Sequence, residues 1–118
     1  MELALTEEGG VLVAVANGPL DEAAHGPFRD VLHPLFAQRG VNLIVDLAGS
    51  KRVNSEGISA LVRLVTDANT RAGRIILAAP SPFVREVFQL TRLDNFFEVA
   101  ATREQAHQML GKDVAEEA

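Results

Sequence analysis

Residues 41–65, VNLIVDLAGSKRVNSEGISALVRLV, are the stretch from which the fold can be inferred. Residues 41–47 are apolar and rich in β-branched side chains, and a glycine lies near each end, so they predict a buried strand. After a polar loop, apolar residues recur with helical spacing at Ile58, Leu61, Val62 and Val65. The loop therefore joins the carboxyl end of a predicted strand to the start of a predicted helix.

The residues that begin this helix, Asn54-Ser55-Glu56-Gly57, allow two interpretations. Asn54 or Ser55 can accept a hydrogen bond from a free backbone N–H, and Glu56 suits the positive end of the helix dipole, which together predict an N-cap. Alternatively, Ser55 presents an exposed hydroxyl where open α/β sheets usually place their sites. A phosphate group at that point would meet free N–H groups of the helix start.

The remaining chain predicts further strands and helices in alternation. Residues 2–6 and 11–16 flank a glycine turn and predict an antiparallel hairpin. Apolar spacing predicts a helix over residues 27–38, bent at Pro34 with that proline on the outer face. A strand at 75–79 precedes a helix that Ser81 caps, with Pro82 at its first position. A short edge strand within 93–99 and a capping box at 102–105, which opens a last helix, complete the order.

This order predicts an α/β fold with a single domain. The sheet is expected to be mainly parallel, with four to five strands of which one is antiparallel, and about four helices. The domain is expected to span residues 1–111, followed by an acidic, frayed tail at 112–118. The four phenylalanines at positions 83, 88, 96 and 97 are interpreted as core residues, because aromatic side chains in small domains usually pack inside.

Composition excludes several classes of function. The chain of 118 residues has no cysteine, which excludes disulfides and thiol catalysis, and its histidines, at positions 25, 33 and 107, show no metal-ligand spacing. A net charge of −5 disfavours nucleic acid as a partner. No apolar run is long enough for membrane insertion, and the N-terminus does not resemble a signal peptide. We therefore expect a cytoplasmic protein with no cofactor and no metal.

A self-contained enzyme is also not expected. The candidate groups are Asp46, Asn54, Ser55 and Glu56, but no histidine or lysine lies at an obvious spacing to activate the serine. Neither of the glycine-rich phosphate-binding fingerprints is present. Asp46 is expected to cap the loop that follows it, with a metal-binding or serine-orienting role as the alternative.

The run DLAGSKRVNSEGISALVRL resembles the signature of STAS domains, the family of the bacterial anti-sigma factor antagonists. The positions that fit are Asp46, Leu47, Val53, Ser55, Gly57, Ile58 and Leu61. The resemblance extends over almost the whole chain and implies the STAS fold. It also implies a protein partner, an anti-sigma factor that is itself a serine kinase, and phosphorylation of Ser55 as the switch that breaks the complex.

Three features depart from the family pattern: Asn54 replaces the usual Asp, Glu56 replaces a common Ser or Thr, and the loop carries Lys51 and Arg52. These cations either keep the loop soluble or meet acidic groups of the partner. The residues expected to bind the partner are Lys51, Arg52, Asn54, Ser55, Glu56 and Gly57. The alternative function is a STAS module without a phosphoswitch, which binds a transporter ATPase or a stress-signalling assembly. A dimer of the isolated protein is left open.

Overall fold

The computed structural model describes the backbone of residues 1–117 and the side chains of residues 1–111. Its five strands lie in the order in which they occur in the chain. They are β1 (Glu2–Glu8), β2 (Val11–Asn17), β3 (Asn42–Gly49), β4 (Arg74–Ala78) and β5 (Glu98–Ala100). The first pair is antiparallel and the other three pairs are parallel, so the predicted fold class is confirmed. The predicted tail at 112–118 lies outside the described side chains and remains a prediction.

Three helical segments connect β2 to β5, and a fourth follows β5. The first, α1, occupies residues 22–37, and it is followed by α2 (Ser55–Thr70), α3 (Pro82–Leu90) and α4 (Arg103–Glu117). Ser81 and Thr102 cap the later helices as predicted: Ser81 Oγ accepts from the backbone N–H of Val84 at 3.2 Å, and Thr102 Oγ1 accepts from that of Gln105 at 3.0 Å. The second half of the predicted capping box differs, because Gln105 Oε1 accepts from the backbone N–H of Ala101, at 2.6 Å, and not from that of Thr102. The strand-to-helix alternation read from the sequence therefore holds after the hairpin.

The prediction of one bent α-helix at residues 27–38 was wrong. The segment α1 begins earlier, where Asp21 Oδ1 accepts from the backbone N–H of Ala23 at 2.9 Å. It then changes from a 3-10 turn to a short α-turn, a π-turn over Phe28–Leu32 and a second 3-10 turn over His33–Ala37. Pro34 supplies the reason, because it has no N–H for the carbonyl of Asp30 and its ring crowds that carbonyl. Pro34 itself is exposed, as predicted.

The sheet is covered on both faces, and each face has its own apolar core. One face carries α1, α2 and α3, whose large buried side chains include Phe28, Leu61 and Phe88. The opposite face carries α4, with Ala106 and Leu110 packed on Ile44 and Ile76 of the central strands. The run at residues 43–47 is buried throughout, as expected for a strand covered on both faces.

The predicted orientation of α2 is correct, whereas the predicted phenylalanine core is correct only in part. Leu61 is fully buried and Arg63 is exposed. Phe88 and Phe97 are buried and meet edge to face, with ring centroids 5.1 Å apart. Phe83 and Phe96, however, are 52% and 39% exposed, because they lie in the first turn of α3 and in the turn before β5, beyond the edge of the core.

Candidate functional site

The loop between β3 and α2 is attached along its length to residues 18–20. The backbone N–H of Leu20 donates to the carbonyl of Arg52 at 2.8 Å, and that of Asn54 donates to the carbonyl of Leu20 at 3.0 Å. These bonds make Leu20 and Val53 a short parallel bridge beside the main sheet. Ser50, at the other end of the loop, is fully buried, and its hydroxyl donates to the carbonyl of Ala16 at 3.4 Å. The loop is therefore held in one backbone conformation.

Asn54, not Ser55, is the N-cap of α2. Its backbone is extended, with φ −126° and ψ −176°, and its Oδ1 accepts from the backbone N–H of Gly57 at 3.0 Å. Ser55 is the first residue of the helix and is exposed. Within the described part of the chain, its hydroxyl makes no hydrogen bond. The cap interpretation of this segment thus applies to Asn54 and leaves the Ser55 hydroxyl accessible.

Two carboxylates near Ser55 are engaged by other side chains. Glu56 Oε2 lies 2.9 Å from His25 Nε2, on α1. Glu22, one turn earlier on α1, accepts from Asn54 Nδ2 at 3.3 Å. The first turn of α2 and the start of α1 are therefore joined by side-chain contacts on both sides of Ser55. No local sequence pattern indicates these contacts, because more than thirty residues separate the partners.

Gly57 allows α2 to approach residues 18–20 closely. It is buried, and a Cβ atom at this position would collide with the backbone carbonyl of Leu20. Any larger residue would push the start of α2 away from Leu20, whose carbonyl accepts the hydrogen bond from Asn54. Of the predicted partner-binding residues, Gly57 lies beneath the surface, whereas Lys51, Arg52, Asn54, Ser55 and Glu56 are exposed on it.

Asp46 lies on the opposite face of the sheet from α2 and does not touch Ser55. Its Oδ1 accepts from the backbone N–H of Ala48 at 2.9 Å, which confirms that it caps the following loop. Its Oδ2 accepts from Arg103 Nε, also at 2.9 Å, at the start of α4. The hydrogen bond to Asp46 raises the pKa of Arg103 above its ordinary value. This ion pair was missed, because no sequence pattern links residues so far apart.

Arg103 also binds Glu8, which brings β1 into the same network. Arg103 Nη1 lies 3.2 Å from Glu8 Oε2, and His107 Nε2 lies 2.8 Å from Glu8 Oε1. Chiefly through the hydrogen bond with His107, and also through the charge of Arg103, the pKa of Glu8 is lowered below its ordinary value of 4.5. The network connects β1, β3 and α4 on the face away from Ser55.

Each of the three histidines contacts a carboxylate. Besides the two pairs above, His33 Nδ1 lies 2.9 Å from Asp67 Oδ2. Among the residues whose side chains are described, no three histidine or acidic groups are gathered in a way that could hold a metal ion. Within the described helices, none is both long and apolar enough to cross a membrane.

Comparison with known proteins places this geometry in a family. Residues 2–106 match the model of the STAS domain. The anti-sigma F factor antagonist of Lysinibacillus sphaericus is 33% identical over 90 residues, which cover 75% of this chain and 76% of that protein. The structure of the anti-sigma factor antagonist SpoIIAA in its unphosphorylated form is similar, with a TM-score of 0.77, 26% identity and coverage of 94% of this chain and 97% of that one.

The Bacillus cell fate determinant SpoIIAA in its phosphorylated form is similar as well, with a TM-score of 0.71 and 26% identity. That match covers 92% of this chain and 99% of SpoIIAA. The family match spans nearly the whole domain, and the strand order, the attached β3–α2 loop and the capped start of α2 all lie within it. The chain belongs to the STAS domain family, among relatives that are anti-sigma factor antagonists.

Proposed function

We propose that this protein is an anti-sigma factor antagonist, which binds an anti-sigma factor with serine kinase activity in the cytoplasm and is released when Ser55 is phosphorylated. The observation that carries the proposal is the exposed Ser55 hydroxyl at the first position of α2, beside a side chain that already caps the helix. The similarity to SpoIIAA, whose structures include a phosphorylated form, supports it. The protein acts in this role by binding a partner and not by catalysis.

The fixed loop explains how one phosphate could act as a switch. A phosphoserine adds about two negative charges and three strong acceptors. Because Ser55 begins α2 directly after a loop whose backbone is bonded to residues 18–20, the new charge stays at the proposed partner-binding surface. The result is repulsion and a desolvation cost in the complex, not a rearrangement of the free protein.

The alternative, a STAS module without a phosphoswitch, is favoured by Asn54, which replaces the usual Asp of the family pattern, and by Glu56. Glu56 already places a carboxylate in the first turn of α2, next to Ser55. Its contact with His25 at 2.9 Å weakens this argument, because the carboxylate is engaged on α1. In the alternative, the same surface binds a transporter ATPase or a stress-signalling assembly, and Ser55 is never modified.

Phosphorylation and binding can be tested together. Intact-mass measurement of protein from its own cells should show a fraction with one added phosphate, located on Ser55 by fragmentation. Ser55→Ala should bind the anti-sigma kinase and resist release by ATP, whereas Ser55→Asp should bind weakly. Ser59→Ala, four residues along the same helix, is the matched control and should behave like the parent. An unmodified Ser55, together with a Ser55→Asp variant that binds as tightly as the parent, would support the alternative.

A further inference from the structure

An open groove lies between the β3–α2 loop and the start of α3. It has a volume of ≈ 410 Å³ and is lined by Lys51, Arg52, Val53 and Phe83. Phe83 is 52% exposed, more than any other phenylalanine of the chain. Val53 is half-buried, so the groove has two apolar lining residues beside the two cations.

The two cations that line the groove, Lys51 and Arg52, make no side-chain bond that stabilises the described part of the fold. Lys51 and Arg52 are exposed, and neither side chain makes an ion pair or hydrogen bond with any residue whose side chain is described. The backbone of Arg52, in contrast, is fixed by the bond from Leu20 at 2.8 Å. The backbone of Arg52 therefore needs no ordering when the partner binds, which lowers that part of the entropy cost of binding.

We infer that this groove is the docking site for a segment of the partner protein that presents an apolar side chain flanked by carboxylates. The apolar side chain would lie against Phe83 and Val53, and the carboxylates would meet Lys51 and Arg52. Charge complementarity favours this occupant, since Lys51 and Arg52 place two adjacent positive charges at the groove of a protein whose net charge is −5, and carboxylates would pair with them. The inference rests on the proposed function in one respect, namely that the loop before Ser55 faces the partner.

A basic groove with an exposed aromatic side chain also resembles sites for single-stranded nucleic acid. The overall charge of −5 opposes that occupant, because binding to a phosphate backbone needs a broad basic surface. Two cations beside one aromatic residue suffice for a short acidic segment of a protein, but they do not form a track along a nucleic-acid strand. An oligonucleotide is therefore a competing outcome of the experiment, not the proposal.

The experiment is an NMR titration of the isotope-labelled full chain with three synthetic probes. The first probe is a peptide with a central leucine between pairs of glutamates, the second has lysines in place of the glutamates, and the third is single-stranded oligodeoxythymidine. We expect saturable shifts at the amides of residues 51–54 and 83–84 with the acidic peptide only. Lys51→Ala with Arg52→Ala, and separately Phe83→Ala, should each weaken that binding about tenfold at low salt.

Matched variants control for general loss of charge and of apolar surface. Arg39→Ala with Arg63→Ala removes the same charge from exposed positions outside the groove, and Leu90→Ala removes an apolar side chain that is 76% exposed at the other end of α3. Both should bind the acidic peptide like the parent. The inference is overturned if the groove variants bind as the parent does, if the lysine peptide binds equally well, or if oligodeoxythymidine binds more tightly.

The same titration separates this inference from the proposed function. Ser55→Ala should bind the acidic peptide as the parent does, since the groove does not include Ser55. Peptide binding in the groove together with an unmodified Ser55 in cells would support the docking site and contradict the proposed phosphorylation switch. A phosphorylated Ser55 without peptide binding in the groove would support the switch and overturn the docking site.

Discussion

Asn54 shows how one position can depart from a family pattern without loss of structure. Aspartate and asparagine are about equally good N-caps, so the helix start keeps its bond to Gly57 with either residue. What asparagine changes is the charge beside Ser55, because it removes a carboxylate and adds an amide that donates to Glu22. The departure therefore changes the charge beside Ser55 and keeps the cap of α2.

Asn54→Ala and Ser55→Ala should differ in their effect on the free energy of unfolding. Asn54→Ala removes the cap and should cost about 0.5 to 2 kcal/mol, whereas Ser55→Ala removes an exposed hydroxyl without a hydrogen bond and should stay within about 0.5 kcal/mol. Urea denaturation of both variants measures this difference. Equal losses would mean that Ser55 takes part in the cap in solution.

At single positions, the sequence was informative where the chemistry is local. It predicted either Asn54 or Ser55 as a cap, and it identified Ser81 and Thr102 as caps, because such bonds span only three residues. It could not predict the partners of Glu56 or Asp46, since His25 and Arg103 reach them only through the fold. The exposure of Phe83 was not predicted either, because it depends on how α3 packs in the fold.

The start of α2 is held against residues 18–20 by a close approach of backbone to backbone. Gly57 permits this approach, and the bridge between Leu20 and Val53 continues it along the loop. A side chain at position 57 would press on the carbonyl of Leu20, which itself accepts from the N–H of Asn54. The position of Ser55 thus depends on a glycine two residues away.

Gly57→Ala should destabilise the protein by about 1 to 3 kcal/mol, because the added methyl group meets backbone that cannot move without breaking the bridge. Gly111→Ala is the matched control, since nothing lies within 4 Å of a Cβ atom there and alanine favours a helix. Thermal unfolding of both variants gives the comparison. If the two have the same melting temperature, the approach of α2 to Leu20 is not tight.

Most of the helices and strands were predictable, and α1 was the exception. In residues 41–65 a continuous apolar run predicted the strand and apolar periodicity predicted the helix, because β3 is buried on both faces and α2 on one. In α1 the same periodicity was visible, but Pro34 interrupts the bonding pattern that a periodic sequence suggests. The signal for the true start was Asp21, a good N-cap residue that lies before Glu22.

Across the domain, the two faces of the sheet have different tasks. The face with α1, α2 and α3 positions Ser55 and the groove at the carboxyl end of β3. On the other face, α4 is held to the sheet by hydrogen bonds and ion pairs among Arg103, Asp46, Glu8 and His107. Asp46 lies on the face with α4, and it also accepts from the backbone N–H of Ala48 at the beginning of the loop, which links the network to the loop. We therefore expect that loss of the contacts of Arg103 with Asp46 and Glu8 lowers the free energy of unfolding before it changes the groove.

The pH dependence of unfolding should report this network. The pKa of Glu8 is lower in the folded protein than its ordinary value of 4.5, so its stabilising contribution is present above that value and is lost as the pH falls through the lowered one. We expect the urea midpoint of the parent to decline from about pH 5 to about pH 3, with a shallower decline in Glu8→Gln. Glu7→Gln, an exposed neighbour in β1, should retain the slope of the parent. If Glu8→Gln and the parent decline in parallel, the acid sensitivity comes from other carboxylates, and Glu8 does not fasten β1 to α4.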